Sequence, residues 1–195
     1  MGQGYQNKSD AHTWSDFKSG ISEAFSYIYH THYRRLYTYG YTLRPDKEMV
    51  QDALQELFLD LWHGRERLAA VQSIQVYLLV SFRRKLLVKA NQQKKYCQVG
   101  QEQEDNLRTN SFEADWIALQ DENSQHQRLH VEVDKLPKRQ REAIFLRYYQ
   151  ELSYQQITEV MDLQYQTVRD LIYKALKTLR QHLKLLFLLA ILVGG

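Results

Sequence analysis

Residues 152–179 read Leu152-Ser-Tyr-Gln-Gln-Ile-Thr-Glu-Val-Met-Asp-Leu-Gln-Tyr-Gln-Thr-Val-Arg-Asp-Leu-Ile-Tyr-Lys-Ala-Leu-Lys-Thr-Leu179. Ser153 is a favourable N-cap, and Gln156 three positions later completes a capping box at the start of a short helix. A break is expected at Asp162–Leu163, and then a longer helix from about Tyr165 to Leu179 or beyond. The inward side chains of the short helix are expected to be Ile157 and either Val160 or Met161. A short helix, a tight turn and a longer helix together predict a helix-turn-helix.

The longer helix has two different faces. Its inward stripe is predicted to consist of Val168, Leu171 or Ile172, Ala175, Leu176 and Leu179. Its outward stripe is predicted to carry Gln166, Arg169, Asp170, Tyr173, Lys174 and Lys177. Glutamine pairs with adenine, arginine with guanine and lysine with phosphate, and the N-terminal residues of such a helix usually reach the bases. We therefore predict base contacts from Tyr165, Gln166, Arg169 and Asp170, and backbone or edge contacts from Tyr173, Lys174 and Lys177.

The composition extends the helical prediction to the rest of the chain. Its 195 residues suffice for one medium domain or two small ones. Two prolines and eight glycines leave long stretches without helix breakers, so we expect an all-α fold. The single cysteine, Cys97, allows no disulfide within the chain, which fits a reducing compartment. The N-terminus lacks the pattern of a secretory signal, and we expect a cytoplasmic protein.

Charge is segregated along the sequence although the net charge is only +3. Residues 46–60 are acidic, residues 65–95 are basic, and residues 102–122 are acidic again. Further basic clusters lie at 135–147 and 169–184. Basic blocks in a nearly neutral chain often mark surfaces that bind phosphates, so the distribution favours contact with nucleic acid over a merely solvated helix face.

Two helices are predicted in the N-terminal half. An apolar stripe at helical spacing is formed by Met49, Val50, Ala53, Leu54, Leu57, Phe58, Leu61 and Trp62. This helix should begin after Pro45 and Asp46 and end at Gly64. The next helix should carry Ile74, Tyr77, Leu78, Phe82 and Leu86, with Ser73 as its N-cap. Residues 1–14 are polar, and we interpret them as a mobile arm.

Two segments lack the pattern of a domain. Residues 95–125 lose helical periodicity and are rich in Gln, Asn, Glu and Asp, which indicates a linker with a short helix near Phe112–Leu119. The linker is interpreted as a solvated tether, with a cover for basic surface as the alternative. Nine apolar residues, Leu185–Val193, are too few to span a bilayer as a helix. They can instead pack on the domain, dock on a partner protein, or associate with a membrane surface.

Both halves of the chain resemble extracytoplasmic-function sigma factors of the sigma-70 superfamily. The stretches Leu136–Tyr148 and Leu152–Ile157 resemble the family's second conserved domain, as does Thr167-Val-Arg. Val50–Trp62 resembles the helix with which sigma factors grip the polymerase core, and Tyr77–Leu87 resembles the helix that engages the minus-10 element. The family often has glycine, a small residue and a basic residue where this chain has Asp162, Gln166 and Leu171. These departures put the recognised promoter sequence in doubt and leave the fold intact.

The resemblance implies residue roles. Core binding, to the β′ coiled coil, is expected of Asp52, Gln55, Glu56, Leu59 and Asp60. Contacts to the melted minus-10 element are expected of Arg67, Gln72, Tyr77, Arg83, Arg84, Lys85 and Lys89. For Tyr77 and Phe82, packing in the core is the better interpretation of an aromatic ring. Thr167 joins the residues of the longer helix as a minus-35 contact.

The expected organisation is two small helical domains joined by a flexible acidic linker. Residues 15–95 are expected to bind core polymerase and the minus-10 element, residues 96–126 to form the linker, and residues 127–184 to bind the minus-35 element. Residues 185–195 form the apolar tail. The expected partners are the polymerase core and promoter DNA, with an anti-sigma factor as a further candidate and no small-molecule substrate.

Two other functions are alternatives to this one. A stand-alone regulator would bind operator DNA as a dimer, at two half-sites and without polymerase. A recombinase would need a reactive serine with supporting arginines or clustered carboxylates, and the N-terminal serines have no neighbouring arginine. The seven histidines show no metal-binding spacing, so we expect no enzyme, no metal and no cofactor.

Overall fold

The computed structural model describes the backbone of residues 4–99 and 132–193, and the side chains of residues 4–93 and 132–182. Every regular element in these ranges is a helix, which confirms the all-α prediction. The chain divides into two compact units, Met1–Glu102 and Gln103–Gly195, called here the first and second unit. The predicted linker, its short helix and Cys97 lie wholly or largely outside the residues whose side chains are described.

The first unit consists of four α-helices. They are α1 (Asp10–Lys18), α2 (Ser22–Leu43), α3 (Lys47–Gly64) and α4 (Ile74–Val99), with a 3-10 turn at Arg65–Arg67. Asp46 caps α3 by accepting a hydrogen bond from the Met49 backbone N–H at 3.0 Å. Ser73 Oγ accepts one from the Val76 backbone N–H at 3.4 Å at the start of α4. The predicted beginnings of α3 and α4 and the predicted end of α3 at Gly64 are confirmed.

The core of the first unit lies where α2, α3 and α4 pack against one another. The six central residues of the predicted α3 stripe are buried, and Met49 and Trp62 at its ends are half-buried. Phe82 is fully buried, as the packing interpretation requires. A β-carbon at Gly40 would lie only 2.6 Å from the Phe82 ring. The close approach of α2 to α4 therefore depends on a residue without a side chain.

The interpretation of residues 1–14 as a mobile arm is wrong for the part that the structure describes. Asp10 begins α1, capped by Ser9, whose Oγ accepts a hydrogen bond from the His12 backbone N–H. Trp14 and Tyr5 are buried, and the Tyr5 ring lies 5.7 Å from that of Tyr27. The segment looked mobile because its polar residues outnumber its two anchoring aromatic residues. The burial of those rings depends on partners far along the chain.

The second unit contains the helix-turn-helix. Residues 132–134 are helical and are followed by α5 (Lys138–Ile144), a π-helical turn (Phe145–Tyr149), α6 (Tyr154–Met161) and α7 (Tyr165–Val193). The capping box of Ser153 and Gln156 is present, with both hydrogen bonds formed. The side chains of Ile157, Val160 and Met161 are all buried. Both α5 and α6 pack on α7, so the predicted short helix, break and long helix are confirmed.

The buried carboxylate of Glu132 connects the start of the described part of the second unit to α7. Glu132 accepts a hydrogen bond from the Lys135 ammonium at 2.7 Å, and its other oxygen lies 2.7 Å from His182 Nδ1. The hydrogen bond from Lys135, helped by His182, lowers the pKa of Glu132 although its burial opposes this. Helix α7 continues to Val193, so the backbone of Leu185–Val193 extends the last helix. Among the described residues, no helix is both long and apolar enough to cross a membrane.

Candidate functional site

The outward stripe of α7 is exposed over its whole predicted length. The side chains of Tyr165, Gln166, Thr167, Arg169, Asp170, Tyr173, Lys174 and Lys177 all lie at the surface. Tyr173 has 66% of its surface exposed, which is unusual for a tyrosine without an external partner. Gln166 donates a hydrogen bond to Asp170 at 3.3 Å, which orders two of the polar groups along the stripe. The stripe has the form of a helix edge that a DNA major groove could accept.

The opposite stripe of α7 holds the helix in place. Val168, Ile172, Ala175 and Leu179 are buried, whereas Leu171 is half-buried. Of the two alternatives, Ile172 is thus the core residue. The prediction for Leu176 is wrong, because 42% of its surface is exposed. Helical spacing places Leu176 at the margin of the apolar stripe. The helices α5 and α6 bury the centre of that stripe and leave this margin exposed.

The turn of the helix-turn-helix contains a left-handed residue. Asp162 has φ 53° and ψ 55°, and its backbone N–H donates to the Thr158 carbonyl. Glycine is favoured in this conformation because it lacks a β-carbon, and aspartate is among the few residues that tolerate it. The departure at Asp162 therefore preserves the turn that orients α7.

The acidic residues of α3 form an exposed face. Asp52, Gln55, Glu56, Leu59 and Asp60 are all exposed, and Leu59 has 48% of its surface accessible. Their side chains project away from the buried stripe, as the predicted helix phase requires. The face thus has the apolar anchor and the acidic rim expected of a surface that binds a basic partner.

Part of the basic block of α4 lies against that acidic face. Lys85 Nζ lies 2.6 Å from Asp60 Oδ2 and 4.0 Å from Glu56 Oε2, and Lys89 Nζ lies 2.7 Å from Glu56 Oε1. The Lys85 side chain is only 26% exposed. These lysines were predicted to bind DNA and these acids to bind polymerase, but the structure pairs them with each other. Local neutralisation weakens the case for Lys85 and Lys89 as phosphate ligands.

The other predicted minus-10 residues have mixed surroundings. Arg67, Gln72 and Arg84 are exposed, and Arg83 is half-buried. Tyr77 is half-buried, and its ring packs edge-on against Trp14 with 5.0 Å between centroids. Arg67 precedes and Gln72 belongs to an irregular loop, residues 68–73, between the 3-10 turn and α4. The exposed cations and this loop provide a surface that could receive a single strand, and Tyr77 is part of its support.

An aromatic groove that was not predicted from the sequence lies beside the acidic face. The groove, of about 580 Å³, is lined by Ser22, Phe25, Tyr29, Tyr33, Gln51, Gln55, Phe58, Leu59 and Trp62. It joins α2 to α3 and includes two of the predicted core-binding residues, Gln55 and Leu59. Recurrence of Phe25, Tyr29 and Tyr33 at spacing four along α2 was the available signal, but a single helix does not reveal which neighbour completes a groove.

Two family models match the chain within these units. Residues 28–96 match the model described as Sigma-70 region 2, and residues 126–179 match the model described as Sigma-70, region 4. These matches and the likeness of the chain to a curated sigma factor identify the family. The chain belongs to the sigma-70 family, as a sigma factor of the extracytoplasmic-function (ECF) type. Its function is promoter-directed initiation of transcription.

The sigma factor is similar to one curated protein and to two solved structures. It is 25% identical over 170 residues to the ECF RNA polymerase sigma factor SigX of Bacillus subtilis (strain 168), covering 85% of this chain and 87% of that protein. It shares the fold of CnrH in complex with the cytosolic domain of CnrY, at TM-score 0.61 and 18% identity, with 90% and 97% of the two chains covered. It also shares the fold of the sigma factor RpoE in complex with the anti-sigma factor NepR from Bartonella quintana, at TM-score 0.58 and 15% identity, with 87% and 98% covered.

Proposed function

We propose that the two units divide the work of promoter recognition between them. Residues 127–184 read minus-35 DNA with the outward stripe of α7, and residues 15–95 bind the polymerase core and the opened minus-10 element. The observation that carries this proposal is the full exposure of a stripe of polar and basic side chains on the second helix of a helix-turn-helix. An ordinary surface helix also has a polar outer face, so it is the position of this stripe on the second helix of a helix-turn-helix that favours DNA as its ligand.

The chemistry of α7 supports duplex DNA as its ligand. Gln166 and Arg169 lie within the first two turns, where side chains of a recognition helix meet base edges. Each can form a bidentate pair, with adenine or guanine respectively. Lys174 and Lys177 lie two to three turns further along, where they meet phosphates and supply binding that depends on salt.

The first unit offers the polymerase core an apolar groove with an acidic rim. Leu59, Tyr29 and Trp62 supply the apolar contact, and buried aromatic anchors usually carry most of the binding energy of an interface. Asp52 supplies negative charge that complements a basic coiled coil, the β′ coiled coil of polymerase in our proposal, and Asp60 contributes less because Lys85 lies 2.6 Å from its carboxylate. We place the centre of the core-binding site at the groove between α2 and α3, and the acidic residues at its edge.

The loop of residues 68–73 is the proposed site for the opened strand. Exposed Arg67 and Arg84 can neutralise phosphates, and Gln72 can line a pocket for one unpaired base. Extruding a base costs a few kcal/mol, which pocket contacts must offset. Lys85 and Lys89 are left out of this site because their ammonium groups already face α3.

An anti-sigma factor is a further proposed partner of this chain. Two similar structures are complexes in which the second chain is a cytosolic domain or an anti-sigma factor, and this supports an anti-sigma factor as a regulator of the present chain. We propose that the protein acts in the cytoplasm and without catalysis of its own. Each DNA-reading surface binds weakly by itself, and joint attachment to polymerase raises its effective concentration at the promoter.

In vitro transcription tests the proposal. Bacterial core polymerase is incubated with this chain on a genomic library, and new start sites are mapped against a reaction that contains core alone. We expect start sites that share two sequence elements at constant spacing. If no new start sites arise, or if the chain alone protects paired half-sites without polymerase, the stand-alone regulator becomes the better reading.

A further inference from the structure

The N-terminal helix α1 contacts both ends of the loop that follows the 3-10 turn. Trp14 Nε1 donates a hydrogen bond to the Ala69 carbonyl oxygen at 2.8 Å. Asp10 Oδ2 accepts one from the Ile74 backbone N–H at 2.9 Å. Asp10 and Trp14 are four residues apart and therefore lie on the same face of α1. A single helical turn thus holds the chain at residue 69 and at residue 74, with only four residues between the two points.

The contacts of Trp14 and Asp10 restrain the loop of residues 68–73 at both of its ends. Trp14 is 2% exposed, so its indole N–H has no access to solvent as a competing partner. The Asp10 carboxylate satisfies one of the free N–H groups at the start of α4 from outside the helix, next to the local cap of Ser73. The Trp14 ring also packs on Tyr77, one turn into α4. The loop's entry, its exit and the aromatic residue behind it are all held by α1.

We propose that Asp10 and Trp14 are positioning residues for minus-10 recognition, because they hold the loop of residues 68–73 in the shape that receives an unpaired base. This inference rests on the proposed function of that loop. Neither residue touches DNA in this account. They act by keeping Val71 and Gln72 in one arrangement, so that the cost of ordering the loop is met before DNA arrives.

The test compares single variants within the intact chain assembled with core polymerase. Trp14→Phe keeps a ring against Tyr77 and removes only the N–H donor, and Asp10→Ala removes the cap. Tyr5→Phe is the matched control, since Tyr5 is also a buried N-terminal aromatic residue whose single hydrogen bond, to Asp16 at 3.0 Å, does not involve the loop. The promoter is one found by the transcription screen, with 2-aminopurine placed in turn at each minus-10 position.

We expect Trp14→Phe and Asp10→Ala each to lower the equilibrium constant for promoter opening about fivefold, the effect of one hydrogen bond. Binding to core polymerase should stay within twofold of wild type. Asp10→Asn should restore opening, because asparagine has the same length and its side-chain carbonyl oxygen can still accept the hydrogen bond from the Ile74 backbone N–H. If Trp14→Phe opens the promoter as well as Tyr5→Phe does, or if both variants lose core binding and opening in proportion, the positioning role is refuted.

A second measurement keeps the inference testable in the free protein. Asp10→Ala should raise the hydrogen-exchange rate of the Ile74 amide at least tenfold, while the amide of Phe82 in the core of α4 keeps its rate. Equal acceleration at both amides would show general destabilisation and would overturn the inference. If the wild-type holoenzyme opened no promoter at all, the proposed function would fail. If wild type opened promoters and the variants did so equally, only the positioning role would fail.

Discussion

The basic helices of the two units have different surroundings. On α7, Arg169, Lys174 and Lys177 point to solvent from a helix whose other face is buried. On α4, Lys85 and Lys89 lie against the carboxylates of α3 at 2.6 to 2.7 Å. Both stretches are similarly basic in sequence, yet Lys85 and Lys89 are paired within the chain, whereas Arg169, Lys174 and Lys177 lie exposed at the surface. An acidic helix packed beside a basic one therefore removes part of its positive charge from the surface that can bind nucleic acid.

The largest effect that tests this comparison is expected from Arg169. Arg169→Ala should weaken holoenzyme binding to promoter DNA about 10- to 100-fold, because a bidentate contact to a base contributes roughly 1–3 kcal/mol. Lys85→Ala should change the same affinity less than about threefold, since its charge is already paired within the chain. Fluorescence anisotropy with labelled promoter at constant salt measures both. Equal losses in the two variants would remove the distinction between α7 and α4.

The next largest difference is expected in how the stability of each unit depends on pH. Burial lowers the pKa of His32 in the first unit to about 4, with Arg35 adding to the effect and Asp10 opposing it. The unfolded chain takes up this proton near pH 6.5 and the folded chain does not, so stability should fall as the pH drops below 6.5 and should be lower by about 2 kcal/mol at pH 5. The pKa of Glu132 in the second unit is lowered, so its contribution is present above its usual pKa and is lost only at more acidic pH.

Urea unfolding at pH 7 and pH 5 measures this difference. In a Trp116→Phe background, the fluorescence of Trp14 and Trp62 reports on the first unit. His32→Leu should abolish most of the loss of stability between the two pH values. A wild-type chain that is as stable at pH 5 as at pH 7 would mean that His32 takes up its proton in the folded state as easily as in the unfolded state.

A smaller effect is expected when the paired lysines lose their charge. Lys85→Met with Lys89→Met keeps the aliphatic packing of both side chains and leaves Glu56 and Asp60 unneutralised. Association with core polymerase should become faster, about two- to threefold at low salt, because the negative field of α3 grows. Lys174→Met with Lys177→Met removes the same charge from the other unit and should leave this rate unchanged. Slower association of the first pair would contradict a steering role for the acidic face.

The smallest changes in stability are expected from substitutions at residues with left-handed backbone conformation. The two units have different residue types at these positions. The first unit has Gly20 at φ 87°, whereas the second has Asp162 at φ 53° and Glu151 at φ 58°. Asp162→Gly should stabilise the second unit by about 0.5 kcal/mol, while Gly20→Ala should destabilise the first by about 1 kcal/mol. Thermal unfolding of each variant gives both values. A gain from Gly20→Ala would contradict the assignment of strain to these positions.

Local signals gave correct predictions where a helix is defined by its own neighbours in sequence. Ser153 with Gln156, Asp46 and Ser73 all cap the helices expected of them. The outward stripe of α7 also followed from spacing alone, because a period of 3.6 residues assigns each side chain to a face. Leu176 shows where this reasoning stops, since the width of the buried stripe depends on how far the packed helices reach.

Contacts between distant segments could not be read in this way. Gly40 carries no pattern in sequence, yet its missing β-carbon is what allows α2 to approach Phe82. The aromatic groove needs both α2 and α3, and the pairs of Lys85 and Lys89 need α3 beside α4.

By itself the sequence determined that this sigma factor is helical, where most of its described helices begin, and which edge of α7 is polar. Those properties arise from hydrogen bonds and side-chain spacing within a few residues, so a short stretch of sequence is enough to determine them. The tertiary structure alone decided that the N-terminal segment is anchored, that two lysines of α4 are neutralised, and that a groove opens beside the acidic face. These depend on which surfaces become neighbours when the chain buries its apolar side chains, and no short window of sequence contains both partners.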